Sequence, residues 1–278
     1  ASNNTAVGHF ALLANTTGTQ NVAVGALALD ANTTGDQNTA VGESSLSANT
    51  EGRENVGVGH DALKVNTTGD YNVALGSFSL TANTTAQNNT AVGFNSLGAN
   101  TTGANNTAIG KGALDANTTA ADNTAVGENS LGANTTGADN VALGVSALAN
   151  NTTASYNTAL GRRTLLSNTT GASNVAVGYA ALDANTTGGS NTAIGHNSLT
   201  TVTTAPGNVG VGRGTLYSTT TGGYNIGIGL YALYDNTTGA ANIGIGQNVL
   251  ENNTSGGNNV AIGRRALYTS TTADGNVA

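Results

Sequence analysis

The stretch NTAVGHFALLANTTG at residues 4–18 is the first full copy of a unit that recurs along the whole chain. Gly8 is repeated every 17 residues, at sixteen positions that end with Gly263. An Asn lies four residues before each of these glycines, a Leu four residues after it and a Thr eight residues after it. A fixed period is the signature of a repeat architecture in which each copy adds one structural unit.

The four invariant positions are predicted to be structural. If each copy forms one coil, equivalent residues stack about 4.8 Å apart, so that the Asn side chains form an amide ladder and the Leu side chains an internal row. The Gly is expected to form a turn or bulge with a positive φ. The first three members of each row are Asn4, Asn21 and Asn38; Gly8, Gly25 and Gly42; Leu12, Leu29 and Leu46; and Thr16, Thr33 and Thr50.

The residues between these positions predict two short strands and a turn. Thr5-Ala6-Val7 alternates with period two, which is typical of a strand. We expect its aliphatic residue, at Val7, Val24, Ile109, Ile194 and their equivalents, to point into the core. The middle position is always Ala or Gly and is expected to be tightly packed against another coil wall or another chain. A second strand is predicted to carry the Leu, and Asn-Thr-Thr-Gly a turn with left-handed Asn and Gly.

These features predict an all-β fold: a parallel β-solenoid with 17 residues per coil and about sixteen coils. A helical repeat is disfavoured because every copy contains Gly, Asn and two or three Thr, which are poor helix formers. We expect residues 1–278 to form a single continuous repeat array, as a segment of a longer fibre protein. A coil with only two or three large aliphatic residues has a thin core, so self-association as a homotrimer or filament is also predicted.

Composition excludes several classes of function. The net charge is −7 with 8 basic residues, and basic pairs occur only at Arg162-Arg163 and Arg264-Arg265, so a nucleic-acid partner is not expected. No apolar run of 18 or more residues exists that would insert into a membrane. The absence of Cys excludes a disulfide framework and thiolate metal sites.

The NTAVG and NVAVG cores, followed by Ala-Leu or Ser-Leu, resemble the head repeats of trimeric autotransporter adhesins of the YadA type. They are still more similar to the NTAVG-x-x-AL-x-x-NTTG arrays of bacterial and phage fibre proteins. The resemblance covers Asn4 to Ala278, although the adhesin repeat is shorter and lacks the Asn-Thr-Thr-Gly corner. It implies a left-handed parallel β-roll, three chains side by side, and an extracellular location on a cell surface or a virion fibre.

No pattern of catalytic or metal-ligating residues emerges. His9, His60 and His196 each follow a repeat glycine in separate coils, where an exposed turn is favoured over a metal site on a trimer axis. The acidic residues are scattered, with no pair at a fixed spacing, and no nucleophile-elbow, zinc-protease or phosphate-loop motif occurs. We therefore expect neither an enzyme nor a cofactor.

Recognition is expected at the variable positions, which hold all eleven aromatic residues. The local group Tyr217, Tyr224, Tyr231 and Tyr234 is a candidate surface for stacking on glycans, with packing between neighbouring coils or chains as the alternative. The favoured function is a structural extracellular fibre or adhesin shaft that binds surfaces or glycans through these positions. A phage tail fibre for host attachment and an ice-binding solenoid with regular Thr rows are the alternatives.

Overall fold

The computed structural model describes residues 1–278 as sixteen three-residue strands joined by turns, with no helix. The chain divides into two compact units, Ala1–Asp139 and Asn140–Ala278, with eight strands each. The first unit contains β1 (Thr5–Val7), β2 (Val22–Val24), β3 (Thr39–Val41), β4 (Val56–Val58), β5 (Val73–Leu75), β6 (Thr90–Val92), β7 (Thr107–Ile109) and β8 (Thr124–Val126). The second contains β9 (Val141–Leu143), β10 (Thr158–Leu160), β11 (Val175–Val177), β12 (Thr192–Ile194), β13 (Val209–Val211), β14 (Ile226–Ile228), β15 (Ile243–Ile245) and β16 (Val260–Ile262).

Within each unit, consecutive strands pair in parallel with a register of one repeat. Ala6 lies opposite Ala23 in the first unit, and Ala142 lies opposite Ala159 in the second. Equivalent residues of successive repeats are therefore stacked, as each coil of a solenoid requires. The predicted all-β parallel solenoid with 17 residues per coil is confirmed.

The strands face the opposite way from the sequence prediction. The middle residue points inward, and Ala23 is completely buried. The aliphatic residues that were expected in the core point outward instead. Val7 is exposed, and the exposed fraction of the residue is 36% for Val24 and 40% for both Ile109 and Ile194. The interior is too narrow for anything larger than Ala at the inward position. Its width is set by a row of Leu and two rows of Asn, which are buried in the same coils.

The predicted second strand is wrong, because the Leu of every repeat lies in a turn. These leucines adopt left-handed backbone conformations, with φ between 47° at Leu250 and 54° at Leu199. A left-handed conformation costs about 1–2 kcal/mol for a residue other than Gly. Complete burial of a Leu side chain, as at Leu29, returns about 1.5–3 kcal/mol. The coil thus turns sharply enough to place one large side chain in a narrow interior.

The repeat glycine does have the predicted positive φ, between 122° at Gly263 and 139° at Gly25. A Cβ atom on Gly25 would also lie 2.4 Å from the carbonyl oxygen of Gly42 in the next coil. The prediction of left-handed residues in the Asn-Thr-Thr-Gly corner is wrong. The left-handed residue near that corner is the one before the ladder Asn, such as Gln20 with φ 59°.

Candidate functional site

The first asparagine ladder runs through the buried interior of each unit. The backbone N–H of Asn21 donates to Asn4 Oδ1 at 2.8 Å, and that of Asn38 donates to Asn21 Oδ1 at 2.9 Å. The side-chain amide of Asn21 also donates to the Gly35 carbonyl at 2.8 Å. Because Asn21 and Asn38 are completely buried, these bonds satisfy polar groups that water cannot reach.

A second asparagine ladder is formed by the Asn of the Asn-Thr-Thr corner, which the sequence analysis assigned only to a turn. Asn32 Nδ2 donates to Asn15 Oδ1 at 2.9 Å and to the Gly35 carbonyl at 3.0 Å. The Gly35 carbonyl therefore accepts one amide from each ladder, which ties the two together across the interior. The recurrence of this Asn was the available signal, but its burial could not be predicted from spacing.

The second ladder is interrupted in the second unit, where Val202 and Thr219 replace Asn. Both residues are completely buried. Asn185 Oδ1, one coil before Val202, has no hydrogen-bond partner, and neither has Thr219 Oγ1 one coil after it. The Val202 side chain can neither donate a hydrogen bond to Asn185 Oδ1 nor accept one from Thr219 Oγ1. The two unpaired atoms are therefore a direct result of the Val at this position.

The two Thr residues of the corner have different environments. Thr33 Oγ1 donates to the Thr50 carbonyl of the next coil at 3.0 Å, and Thr16 donates to Thr33 in the same way at 2.9 Å. The second Thr of each corner, such as Thr34, is exposed. Only one of the two Thr rows thus presents its side chains fully to solvent. The Asn of most corners matches a glycosylation sequon, but Asn32 is completely buried in the fold.

The remaining variable residues line what we call the variable edge, formed by the two positions after the repeat glycine and the one after the Leu. In the first unit, Phe78 makes edge-to-face contacts with His60 at 5.2 Å and with Phe94 at 5.7 Å between ring centroids. In the second, Tyr179 and His196 are stacked at 5.3 Å. The histidines remain in separate surroundings, and no group of three or more His, Asp or Glu residues is arranged to hold a metal ion.

Three of the four candidate tyrosines meet on the variable edge of the second unit. Tyr217 and Tyr234 are stacked with ring centroids 4.9 Å apart and planes 9° from parallel. Tyr231 contacts Tyr234 edge to face at 5.2 Å, and Arg213 Cζ lies 6.0 Å from the centroid of the Tyr231 ring. Together they line a pocket of about 140 Å³, which we call the tyrosine pocket; its walls are His196, Asn197, Arg213, Gly214, Tyr217, Tyr231 and Tyr234.

Tyr224, the fourth candidate, does not join this group. It immediately precedes the ladder residue Asn225 and is separated from Tyr231 by strand β14. Its backbone N–H donates to the Pro206 carbonyl at 3.0 Å, and its ring covers Gly207, where a Cβ atom would lie 2.7 Å from Tyr224 Cδ1. With 68% of its surface exposed, it is a separate feature of the molecule.

Acidic groups lie on one side of the tyrosine pocket. Burial raises the pKa of the Tyr234 hydroxyl, and the neighbouring Tyr217 and Asp235 raise it further. Burial and the nearby Glu251 carboxylate raise the pKa of Asp235. Glu251, Tyr231 and Tyr234 also line a second, smaller pocket of about 100 Å³. The site therefore combines aromatic surfaces with a guanidinium and two carboxylates.

Neither a protein-family model nor a curated protein sequence matches this chain. The structure also has no helix of the length and apolar character needed to cross a membrane.

Proposed function

We propose that this chain is the shaft of an extracellular fibre, in which copies of the solenoid associate side by side and the variable edge contacts other surfaces. The same shaft would serve a bacterial surface adhesin or a phage tail fibre. Regular coils suit such a role because the first asparagine ladder repeats the same hydrogen bond from one coil to the next. Variation is then confined to side chains that do not support the fold.

The observation that carries this proposal is the apolar outer face of the strands. The third strand residue is always Val, Ile or Leu, and the first is always Thr, Val or Ile. Neither position ever holds a charged residue, although both point outward. Solvent-exposed positions tolerate polar residues, and this chain places them freely on its variable edge. An outward row that stays apolar in every coil is typical of a protein interface.

The energy available from this face is substantial. Ile228 is 38% exposed and Ile245 is 37% exposed. Full burial of such a side chain contributes about 1.5–3 kcal/mol relative to full exposure, so covering the remaining third contributes about 0.5–1 kcal/mol per residue. Eight stacked coils in each unit would add several such terms. Association with copies of the same chain would bury the rows of each unit against identical rows.

Sedimentation analysis of the native chain tests the proposal. We expect a homotrimer, and elongated uniform particles in negative-stain electron micrographs. The double variant Ile228→Glu/Ile245→Glu should dissociate to a folded monomer, because two charges would be placed in the buried interface.

The matched control is Thr238→Glu, since Thr238 is exposed and the equivalent residue of another coil is Glu51. This variant should remain oligomeric. A wild-type chain that sediments as a stable folded monomer at micromolar concentration would contradict the proposed association.

A further inference from the structure

We propose that the tyrosine pocket binds a single pyranose ring that carries one carboxylate, as a terminal or branching unit of a surface glycan. This inference rests on the proposed adhesive role of the variable edge and specifies its ligand. Four features lead to it: the construction of the pocket from stacked coils, the space left by a glycine, a guanidinium without a salt bridge, and acidic groups beside the adjoining smaller pocket.

The pocket is built from three successive coils, the first of which contributes His196 and Asn197. Arg213 and Tyr217 come from one coil, and Tyr231 and Tyr234 from the next. Backbone bonds fix their register: Tyr231 N–H donates to the Arg213 carbonyl at 3.1 Å, and Ser218 N–H donates to the Tyr234 carbonyl at 2.9 Å. Aromatic rings fixed in this way bind a ligand with little further loss of conformational entropy.

Gly214 provides the space for the tyrosines to converge. A Cβ atom at this position would lie 2.8 Å from Tyr231 Cδ1 and 2.9 Å from Cε1. Its φ of 62° does not require glycine, since Asn197 and Tyr231 occupy the same position of neighbouring coils with φ of 56° and 55°. The glycine is thus needed for the ring of Tyr231, and with it for the shape of the pocket.

The guanidinium of Arg213 is available for a ligand. Arg213 is exposed and forms no salt bridge, whereas Arg163 at the following position of another coil is bound to Asp183 at 3.0 Å. A guanidinium donates two parallel hydrogen bonds to a carboxylate, which is the strongest match for its geometry. Asn197 and His196 also line the pocket and provide further polar groups.

The remaining walls select the rest of the ligand. Tyrosine rings combine an apolar face with a polar tip, which suits the apolar face and the hydroxyl groups of a sugar. Glu251 lines the adjoining smaller pocket with Tyr231 and Tyr234, and there it and Asp235 would repel a second negative charge on the ligand. The volume of about 140 Å³ is below the range of drug-sized ligand sites and fits one ring.

Saturation-transfer NMR with the full chain tests this inference, using glucuronic acid, N-acetylneuraminic acid and glucose as probes at physiological ionic strength. We expect at least one of the two acids to bind, and to bind more tightly than glucose. Arg213→Gln should abolish this preference, with about 10–100-fold weaker binding of the acid, because the charged hydrogen bonds are lost. Equal binding of glucose and the acids by the wild type would overturn the assignment.

Gly214→Ala supplies a second variant with a matched control. It should displace Tyr231 and abolish binding, whereas Gly112→Ala, at the same position of the first unit, should leave binding unchanged. The atom nearest to a Cβ atom on Gly112 would be the side-chain oxygen of Asn129 at 2.7 Å, and this side chain can move. Retained binding in Gly214→Ala would refute the site.

The two proposals can fail independently. If the native chain is a trimer but none of the probes binds, the ligand inference is wrong and the shaft proposal stands. If the chain is a monomer and Arg213-dependent binding of an acid is observed, the reverse holds.

Discussion

Val202→Asn should stabilise the protein by repairing the second asparagine ladder. Val202 separates two buried polar atoms that lack partners, Asn185 Oδ1 and Thr219 Oγ1. An amide at position 202 would donate to Asn185 Oδ1, as Asn185 itself donates to Asn168 at 2.8 Å. Its oxygen would accept from Thr219 Oγ1. Its amide would also donate to the Ala205 carbonyl, which now accepts one side-chain hydrogen bond, from Asn191 Nδ2 at 2.9 Å.

The magnitude follows from three new hydrogen bonds against one lost apolar side chain. Each bond contributes about 1 kcal/mol net, for a gain of about 3 kcal/mol. Removing a fully buried Val costs about 1.5–2 kcal/mol. We therefore expect the free energy of unfolding to rise by about 1–1.5 kcal/mol, the difference between these two terms. The reverse change at an intact position, Asn168→Val, should lower it by about 2–4 kcal/mol, because it removes bonds to Asn151 and Asn185.

Equilibrium urea unfolding, followed by far-ultraviolet circular dichroism at one protein concentration, measures both effects. A fixed concentration is needed because association contributes to stability. Repeat arrays can also unfold in parts, so hydrogen exchange at the backbone N–H of Thr203, which donates to Thr220 at 3.2 Å, provides a local measurement. If Val202→Asn leaves stability and exchange unchanged or lowers them, the unpaired amide and hydroxyl do not limit the stability of these coils.

Three further predictions concern single coils. Ala241 has a left-handed φ of 56°, so Ala241→Gly should raise stability by about 0.5–1 kcal/mol in urea unfolding, whereas Ala240→Gly should lower it by a similar amount. Gly244→Ala should cost about 1–3 kcal/mol by overpacking, because its Cβ atom would lie 3.1 Å from Val249 Cγ1; an unchanged midpoint would show that the interior can expand. Burial raises the pKa of Asp115, so the ionised carboxylate lowers the stability of the folded state above that pKa. This loss of stability disappears as the pH falls through the pKa and the carboxyl group is protonated. Asp115→Asn should thus be more stable than wild type near pH 7, and the difference should shrink towards about pH 4; a difference that grows on acidification would contradict the assignment.

The buried face of the strands could not be predicted from the sequence. Alternation in Thr5-Ala6-Val7 indicates two faces but does not say which is inside. Hydrophobicity favours an inward Val side chain, yet the interior already contains a Leu and, in most coils, two Asn side chains. Only Ala or Gly fits beside these side chains. The strands therefore turn their small middle residue inward, although the aliphatic residue is more hydrophobic. The restriction of the middle position to Ala and Gly was the signal, and it indicated tight packing correctly.

The grouping of the four candidate tyrosines agrees with the structure for three of them. The local density of tyrosines between Tyr217 and Tyr234 predicted a surface, and three of the four residues line one pocket. Tyr224 was grouped with them by sequence distance alone. Tyr224 precedes strand β14 and Tyr231 follows it, so the two side chains lie in different parts of the coil. Their short distance in the sequence does not reveal this separation. The contributions of Arg213 and Gly214 also needed the stacking of two coils.

The period of 17 residues determined by itself that the chain is a parallel β-solenoid, because identical units can bury their interiors only by stacking in register. The repeat also predicted that the invariant glycine lies at a sharp turn with a positive φ. A side chain is excluded there by the backbone conformation and by the carbonyl group of the next coil. The tertiary structure alone decided that the aliphatic rows face outward, that a second asparagine ladder fills the interior, and which tyrosines meet. Each of these depends on the width of the coil, which is set by the packing of side chains from several repeats.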